Sequence, residues 1–377
     1  MLGIYIHIPF CKKSCHYCNF HFSTSLKNKE DMIKAINKEI YQKAILNNDK
    51  VSTIYFGGGT PSILDVEEIN LIIENIYKNF NVGKNIEITI EANPDDLSKH
   101  KLNDLSKTKI NRISIGVQSF IDKELKIMNR VHDSKKAIKS IEMAKKYFNN
   151  ISVDLLYGVP DSSIKSWNYN LDTISSFNIN HISAYALTVE PKTALESFIN
   201  KSILSMPDEE LVYSQYKLIN EKLSSKNFIN YEVCSFAQKD FFSKNNSAYW
   251  LRKKYIGIGP SAHSFDGESR SWNISNNKKY IDQIIDGDNY YKKENLTKVD
   301  QYNEYIMTGL RTIWGVSVKH IESNFDVRFK NYFLKKIKSH IAKKNVYKED
   351  DLYLTTQSGR FLADGIASDL FLVNLKK

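Results

Sequence analysis

Six short apolar stretches alternate with amphipathic stretches across the first half of the 377-residue chain, and this alternation constrains the fold more than any other feature. The fifth apolar stretch, residues 151–158, lies between helical spacing at residues 134–147 and at residues 166–177. Strands that alternate with helices in this way predict βαβ units and a parallel sheet. Six units suit an open, TIM-like (β/α)6 barrel, although an open doubly wound sheet would give the same pattern.

Polar and glycine residues follow the predicted strands at the points where the strands end. They are three cysteines after the first strand, the glycines of residues 57–59 after the second, and then Glu91, Gln118, Asp154 and the region of Tyr185. Taken singly, the glycines fit a tight turn, and Asp154 fits a solvated carboxylate. Active sites of parallel sheets lie at the carboxyl ends of the strands. Together, these residues therefore predict a binding site on one concave face.

Three of the four cysteines, Cys11, Cys15 and Cys18, fall within eight residues and predict a metal or cluster site. The spacing is too tight for a useful disulfide framework, and a set of three leaves one thiol unpaired. Zinc would need a fourth ligand. The candidates for that ligand are His7, His16, His21 and the distant Cys234. An iron–sulfur cube held by three thiolates would leave one iron open. The spacing favours the cube but leaves zinc open.

Composition describes a globular protein with ample material for a core, since 42% of residues are hydrophobic and 25% are charged. No apolar run is long enough to span a bilayer, and the first residues lead straight into a strand, without room for a signal peptide. We therefore expect the cysteines to lie in a reducing cytoplasm. The net charge of +10 is spread over the whole chain, so no nucleic-acid partner is expected.

The pattern changes from about residue 207, which predicts two domains at residues 1–206 and 207–377. From about residue 299, helical spacing covers residues 302–313, 318–325 and 327–344. A hairpin over residues 347–355 and a final helix over residues 358–372 follow. Three helices and a hairpin resemble a small winged-helix domain. The second part is therefore predicted to be an α+β region with a winged-helix-like end.

Several motifs in order resemble the radical S-adenosylmethionine (SAM) proteins of the oxygen-independent coproporphyrinogen III oxidase family. They are C-x3-C-x2-C after the first strand, GGGTPS, EANP, GVQSF, DLLYGVP, EPKT and GIGPSAHSF. The resemblance runs from Tyr5 to the last helix, and the ordered set is far more specific than the cysteine spacing alone. It implies a radical-SAM barrel, which resolves the choice of fold in favour of the open barrel.

The resemblance also implies cofactors and their contacts. A [4Fe–4S] cube would be held by the three closely spaced cysteines, and the amino and carboxylate groups of SAM would chelate its fourth iron. The family's SAM-contacting positions correspond to Tyr5, Gly58, Gly59, Thr60, Glu91, Gln118, Arg130 and Asp154. Glycine backbone can approach a ligand closely, carboxylates suit ribose hydroxyls or an ammonium, and arginine suits a carboxylate. An electron donor for the cluster is implied as a partner.

Two branches of the family differ near the cysteines. The decarboxylating oxidases have an extra cysteine at the position of Phe20 and a longer segment before the first strand. This sequence instead resembles the haem-chaperone branch, which implies that it binds haem and delivers it to acceptors such as respiratory cytochromes. The oxidase activity is kept as the alternative, so whether the protein is an enzyme stays open.

The haem ligand is the one point at which the sequence departs from that branch. The branch typically has a histidine, the proposed haem ligand, where this chain has Asn245. An amide is a poor iron ligand beside imidazole or thiolate. The resemblance therefore implies weaker haem binding or another ligand, with His263 and Cys234 as candidates. For Cys234 a role as a small buried hydrophobe is favoured, and His263 could equally line the SAM pocket.

Overall fold

Six parallel strands form the centre of a twelve-stranded sheet in the computed structural model, which describes residues 2–205 and 208–373. In sequence and spatial order they are β1 (Leu2–Ile8), β2 (Val51–Gly58), β3 (Val82–Ala92), β4 (Arg112–Gln118), β5 (Ile151–Tyr157) and β6 (His181–Ala186). A doubly wound sheet would reverse its strand order at a switch point. Right-handed crossovers between sequential strands instead place all the helices on one face. The open, TIM-like barrel is therefore confirmed.

Helices that connect the parallel strands cover the outer face of the barrel. They are α1 (Lys29–Ile45), α2 (Val66–Asn79), α3 (Lys99–Leu105), α4 (Asp122–Ile127), α5 (Ser134–Ala144) and α6 (Ile164–Ser176), with a short 3-10 turn at Pro61–Ile63. A further helix, α7 (Ala194–Asn200), follows β6 and connects no parallel strands. The start of α2 is fixed by a capping box between Asp65 and Glu68. Ile36 and Ile40 of α1 are fully buried in the same core as Ile4, which anchors the helix on the sheet.

Shorter strands extend the sheet beyond β1 and β6. On the β1 side, β9 (Lys254–Ile258) is parallel to β1, and the antiparallel strands β10 (His263–Phe265), β11 (Ser269–Asn273) and β12 (Tyr291–Asn295) follow. On the β6 side lie the antiparallel strands β8 (Ser235–Ala237) and β7 (Ile229–Asn230). The extension also contains helices α8 (Glu209–Ser224), α9 (Lys244–Trp250) and α10 (Asn277–Asp286). Within the described residues β1 and β6 do not pair, so the barrel is open.

The predicted domain boundary between residues 206 and 207 falls on residues outside those described, and it stays a prediction. Residues on both sides of it share one hydrophobic core. Tyr216, Phe236, Ile258 and Tyr280 pack in the same cluster as the barrel strands. The strands that follow the boundary thus enlarge the barrel sheet.

The C-terminal region has its own hydrophobic core, which includes Tyr302, Phe333 and Tyr353. Its elements are α11 (Lys298–Leu310), β13 (Val316–Ser317), α12 (Val318–Asn324), α13 (Val327–Ala342), β14 (Val346–Glu349), β15 (Leu352–Thr355), α14 (Gln357–Phe361) and α15 (Ala363–Leu370). The predicted three helices and hairpin are confirmed, with β15 between β13 and β14.

One helix of this region differs from its prediction. The single helix expected over residues 358–372 is two helices, because the backbone at Leu362 (φ −98°, ψ 12°) leaves the helical conformation. Among the described helices, none has the length and apolar character that crossing a membrane requires.

Candidate functional site

The inner faces of the six parallel strands are polar, although their outer faces are aliphatic. Along β1, Ile4 and Ile6 are fully buried against the helices, and the alternate residues Tyr5 and His7 face the other side. The same alternation assigns to the inner face Thr53, Tyr55, Glu87, Thr89, Glu91, Arg112, Ser114, Ser152, Asp154, His181 and Ser183. The interior of a parallel barrel is usually filled by branched apolar side chains. This polar interior, called the lumen below, is therefore suited to a polar ligand.

A cavity of about 680 Å³ opens at the carboxyl ends of these strands and forms the mouth of the lumen. It is lined by the predicted residues Cys11, Cys15, Cys18, Gly58, Gly59, Thr60, Glu91, Gln118, Arg130 and Asp154, and by Tyr185. Tyr5 is the predicted residue that does not line the cavity, and its hydroxyl lies 3.2 Å from Nδ1 of His7. The predicted set is thus brought together, while each residue's contact with SAM stays a prediction.

Asn93, Ser114 and Glu190 also line the mouth, although the sequence analysis did not single them out. Period-two alternation along β4 could have found Ser114, since it shares a face with Gln118. The side chains of Asn93 and Glu190 lie beyond the ends of their strands, where alternation gives no signal, but the EANP and EPKT motifs contain them.

The loop that carries the cysteines, residues 9–28, is held by neighbouring loops and is called the cysteine loop below. Lys12 pairs with Asp95 at 2.9 Å and also with Asp96, both beyond the end of β3. The ring of His16 donates from Nδ1 to the carbonyl of Ile127 at 2.8 Å. The carbonyl of His16 accepts from the backbone N–H of Leu195 at 2.8 Å, which ties the loop to α7. Contacts from three sides therefore position the cysteines.

The histidines considered as a fourth zinc ligand are engaged elsewhere. Nε2 of His7 donates to the carbonyl of His21 at 2.8 Å, and Nε2 of His21 lies 2.7 Å from Oδ1 of Asn277. Among the described residues, no three His, Cys, Asp or Glu side chains form a group that could hold one metal ion. Zinc would need its thiolates roughly 4 Å apart around a single centre. A cube binds each thiolate at a different iron and needs no fourth protein ligand at a shared centre.

Two of the three thiols, those of Cys11 and Cys18, are set in surroundings that favour their protonated form. Burial raises the pKa of Cys11 to about 11 and also raises the pKa of Cys18. The hydroxyl of Thr60 donates to Sγ of Cys11 at 3.4 Å, and Nη1 of Arg130 donates to Sγ of Cys15 at 3.3 Å. These donors would stabilise the thiolates that form when cluster binding releases the thiol protons.

Two carboxyl groups, Glu91 and Asp154, face the mouth from the lumen. Burial, together with the charge of Asp154, raises the pKa of Glu91 to about 7, and the hydroxyl of Tyr55 donates to Oε1 of Glu91 at 2.8 Å. Burial also raises the pKa of Asp154, which accepts from the hydroxyl of Ser114 at 3.2 Å. Both groups have remaining acceptor capacity for hydroxyls or an ammonium of a ligand.

Asn245, the position of the expected haem ligand, lies at the opposite end of the lumen. Its side chain is 2% exposed, and its Oδ1 accepts from the hydroxyl of Thr53 at 3.0 Å. The backbone N–H groups of Lys244 and Asn245 donate to the carboxylate of Glu87, each at 3.0 Å. These contacts hold helix α9 across the amino end of the lumen, called the floor below. A haem ligated at this position would have to displace the floor.

The two alternative haem ligands lie outside the mouth. His263 is exposed on β10, and the centre of its ring is 6.1 Å from that of Trp272. His263 does not line the cavity, which is bounded by β1–β6 and their loops, and its place relative to SAM stays a prediction. Cys234 is half-buried beside β6, where its carbonyl accepts from the N–H of Ala184 at 2.7 Å. Burial and the nearby Glu232 raise the pKa of Cys234 far above its ordinary value.

Two family profiles match the chain. The profile of the Radical SAM superfamily matches residues 5–172, and the profile of the HemN C-terminal domain matches residues 296–362. The solved structure of coproporphyrinogen III oxidase (HemN) from Escherichia coli superposes with a TM-score of 0.86 at 24% identity, covering 98% of this chain and 90% of that one. At this identity the superposition describes the fold alone. The barrel and its cysteine-lined mouth therefore define a radical SAM protein.

Two relatives narrow the assignment. A Bacillus subtilis protein named heme chaperone HemW is 32% identical over 371 residues, covering 97% of this chain and 98% of that protein. Radical S-adenosyl methionine domain-containing protein 1 from Danio rerio mitochondria is 31% identical over 332 residues, covering 85% and 75%. The chain belongs to the radical SAM family of oxygen-independent coproporphyrinogen III oxidases, in its HemW-type branch.

Proposed function

We propose that the protein is a haem chaperone that carries a [4Fe–4S] cluster and SAM and delivers haem to acceptor proteins such as respiratory cytochromes. The observation that carries this proposal is the 32% identity, over nearly the whole of both chains, to the Bacillus subtilis protein named heme chaperone HemW. The described geometry is compatible with it, since one cavity collects the three cysteines and the polar residues expected around SAM.

The chain's own residues have distinct parts in holding the cofactors. Cys11, Cys15 and Cys18 would ligate three irons of the cluster, and the fourth iron would be left for SAM. Thr60 and Arg130 donate hydrogen bonds to two of these sulfurs, and Glu91 offers a carboxyl to the ligand's hydroxyl or ammonium groups. When bound, the cluster and SAM supply one-electron chemistry, whether or not chaperone function requires it.

The oxidase alternative is less well supported because of Phe20. This residue is 69% exposed at the rim of the mouth. By the family resemblance, the decarboxylating oxidases have their extra cysteine at this position. A phenyl ring can neither ligate a metal nor transfer a proton. We therefore expect haem transfer rather than decarboxylation of coproporphyrinogen III.

The proposed function implies partners and a compartment. A reductant must supply electrons to the cluster, and haem acceptors must dock on the chaperone. An exposed iron–sulfur cluster survives in a reducing compartment, so we propose that the protein works in the cytoplasm. Nucleic acid has no part in this function.

One experiment separates the carrier from the oxidase. Anaerobically reconstituted protein is titrated separately with haem and with SAM, and binding is followed by absorption spectroscopy. Coproporphyrinogen III is then added to protein that holds SAM and a reduced cluster, and the products are followed by chromatography. We expect stoichiometric binding of haem and of SAM, with no conversion of coproporphyrinogen III. Protein that fails to bind haem, yet forms protoporphyrinogen at turnover rates, would instead establish the oxidase.

A further inference from the structure

The antiparallel strands β10, β11 and β12 carry a row of three side chains that the cofactor site does not use. In the strand register His263 is directly opposite Trp272, and Trp272 is directly opposite Lys292. Directly opposite residues of neighbouring strands point to the same face of a sheet. An imidazole, an indole and an ammonium therefore stand side by side on this face, which is called the His263 row below.

His263 has the accessibility and the charge state that an iron ligand requires. The residue is exposed, and its strand is held in place by pairing with β9 and β11. Partial burial and the nearby guanidinium of Arg270 lower the pKa of His263 below its ordinary value, although Glu294 opposes this effect. At neutral pH the ring is therefore uncharged and keeps a lone pair for iron.

The other two residues of the row, Trp272 and Lys292, suit the macrocycle and the propionates of haem. The Trp272 ring lies within 25° of parallel to the His263 ring, with 6.1 Å between the ring centres. An axial imidazole stands roughly perpendicular to the macrocycle, so a ring nearly parallel to His263 would present its apolar edge to the macrocycle. Lys292 is exposed, and no described carboxylate forms a salt bridge with it, so its ammonium can pair with a propionate.

We propose that haem binds on the exposed face of β10–β12, with His263 as its axial ligand, Trp272 against the macrocycle and Lys292 near the propionates. This inference rests on the proposed function, and it names the site at which that function is carried out. It also explains how the chain can bind haem with an amide at position 245. None of the three residues lines the cofactor mouth, and β9 lies between their strands and β1 in the sheet.

An open sheet face suits a protein that must release its ligand. Haem in an enclosed pocket is held by burial of both faces of the macrocycle. On the His263 row one face would stay accessible, so an acceptor could provide its own axial ligand before the bond to His263 breaks. Neither the buried Asn245 nor the protonated, half-buried Cys234 offers an acceptor such access.

The test is a haem titration of cluster-loaded protein, read as difference spectra against the same protein without haem, comparing the parent with His263→Ala and Trp272→Ala. Affinity and the absorption spectrum are both recorded. The matched control is His320→Ala, since His320 is also exposed and stacks on an aromatic ring, Tyr305, at 4.3 Å. We expect His263→Ala to weaken binding by about tenfold or more and to lose the imidazole-type spectrum, while the control binds as the parent does. Added imidazole should restore that spectrum to His263→Ala.

The outcomes separate this inference from the function on which it rests. A parent protein that binds no haem would contradict the chaperone function itself. Stoichiometric binding that survives His263→Ala with an unchanged spectrum would overturn the His263 row alone. A thiolate-type spectrum in the parent, lost in Cys234→Ala, would overturn it as well and assign the ligand to Cys234.

Discussion

Gly59 illustrates how closely the cysteine loop packs against β2. A Cβ atom at this position would lie 2.6 Å from the carbonyl oxygen of Phe10 and 3.0 Å from Sγ of Cys11. We expect Gly59→Ala to shift the loop, to lower the free energy of unfolding by about 1–3 kcal/mol and to reduce iron uptake on reconstitution. Thermal denaturation and iron analysis measure the two effects.

The control for this substitution is Gly365→Ala in α15. A Cβ at Gly365 meets no atom within 4 Å, and alanine favours a helix over glycine. This variant should be at least as stable as the parent and should load iron normally. Equal iron loading in Gly59→Ala and Gly365→Ala would show that the loop tolerates displacement.

The cluster ligands are tested by removing each thiol separately. We expect about four iron and four sulfide per parent chain after anaerobic reconstitution, and a loss of the cluster in Cys11→Ala, Cys15→Ala or Cys18→Ala. Cys234→Ala should keep its iron, because Cys234 lies outside the mouth. A cluster lost in Cys234→Ala, or stoichiometric zinc in the native protein, would contradict the three-cysteine assignment.

Glu91 should make stability depend on pH. Its pKa rises from 4.5 in the unfolded chain to about 7 in the fold, so the folded state binds the extra proton between these values. The associated stabilisation is complete below about pH 4.5 and is lost as the pH rises through 7. Glu91 faces a solvated mouth, which weakens the effect. We therefore expect the free energy of unfolding of Glu91→Gln, relative to the parent, to be about 1–3 kcal/mol higher at pH 8 than at pH 5. Urea denaturation of the parent and the variant at both pH values, before reconstitution, measures this free energy. A stability difference between the two proteins that does not change with pH would contradict the prediction.

At the residue scale the sequence predicted the mouth well. Glu91, Gln118 and Asp154 lie where strand ends and family motifs coincide, and all three line the cavity. The environment of Asn245 could not be predicted, because it depends on Glu87 and Thr53, which are far away in sequence. No local sequence pattern indicates that the short helix α9 lies across the amino end of the lumen.

Helix α9 provides a prediction at the scale of elements. Its first N–H groups depend on the buried carboxylate of Glu87, which accepts from Lys244 and Asn245. Glu87→Gln removes the charge and one acceptor, so we expect the free energy of unfolding to fall by about 1–3 kcal/mol. Chemical denaturation measures the change. Glu67→Gln, in the exposed first turn of α2, is the control and should have little effect. Equal stability of the two variants would show that Glu87 does not secure the floor.

The longer elements were predictable and the short ones were not. The parallel strands have clear apolar patterns, and their sequential order then follows from right-handed connections. The strands that extend the sheet have between two and five residues, such as β7 (Ile229–Asn230), so hydrophobic period cannot detect them. The break at Leu362 is likewise invisible in the pattern, because the apolar spacing continues through it.

At the scale of the whole molecule, we predict that the protein does not catalyse the decarboxylation that defines the oxidase branch of the family. With Phe20 at the rim of the mouth, reduced cluster and SAM should yield no protoporphyrinogen from coproporphyrinogen III. Product analysis under anaerobic conditions measures this, with an active anaerobic oxidase as the positive control. Complementation of a strain lacking its anaerobic oxidase would contradict the prediction.

The floor beneath the lumen has a consequence for the order of events. Helix α9 covers the amino end of the lumen, and the cavity at the other end has Ser114 and Asp154 on its inner side and the cysteine loop at its rim. A molecule that contacts Ser114 and Asp154 must therefore bind before one that covers the rim, and it must leave after it. The order of release is the reverse of the order of binding. Trapping a tight ligand at the mouth should slow the escape of anything beneath it.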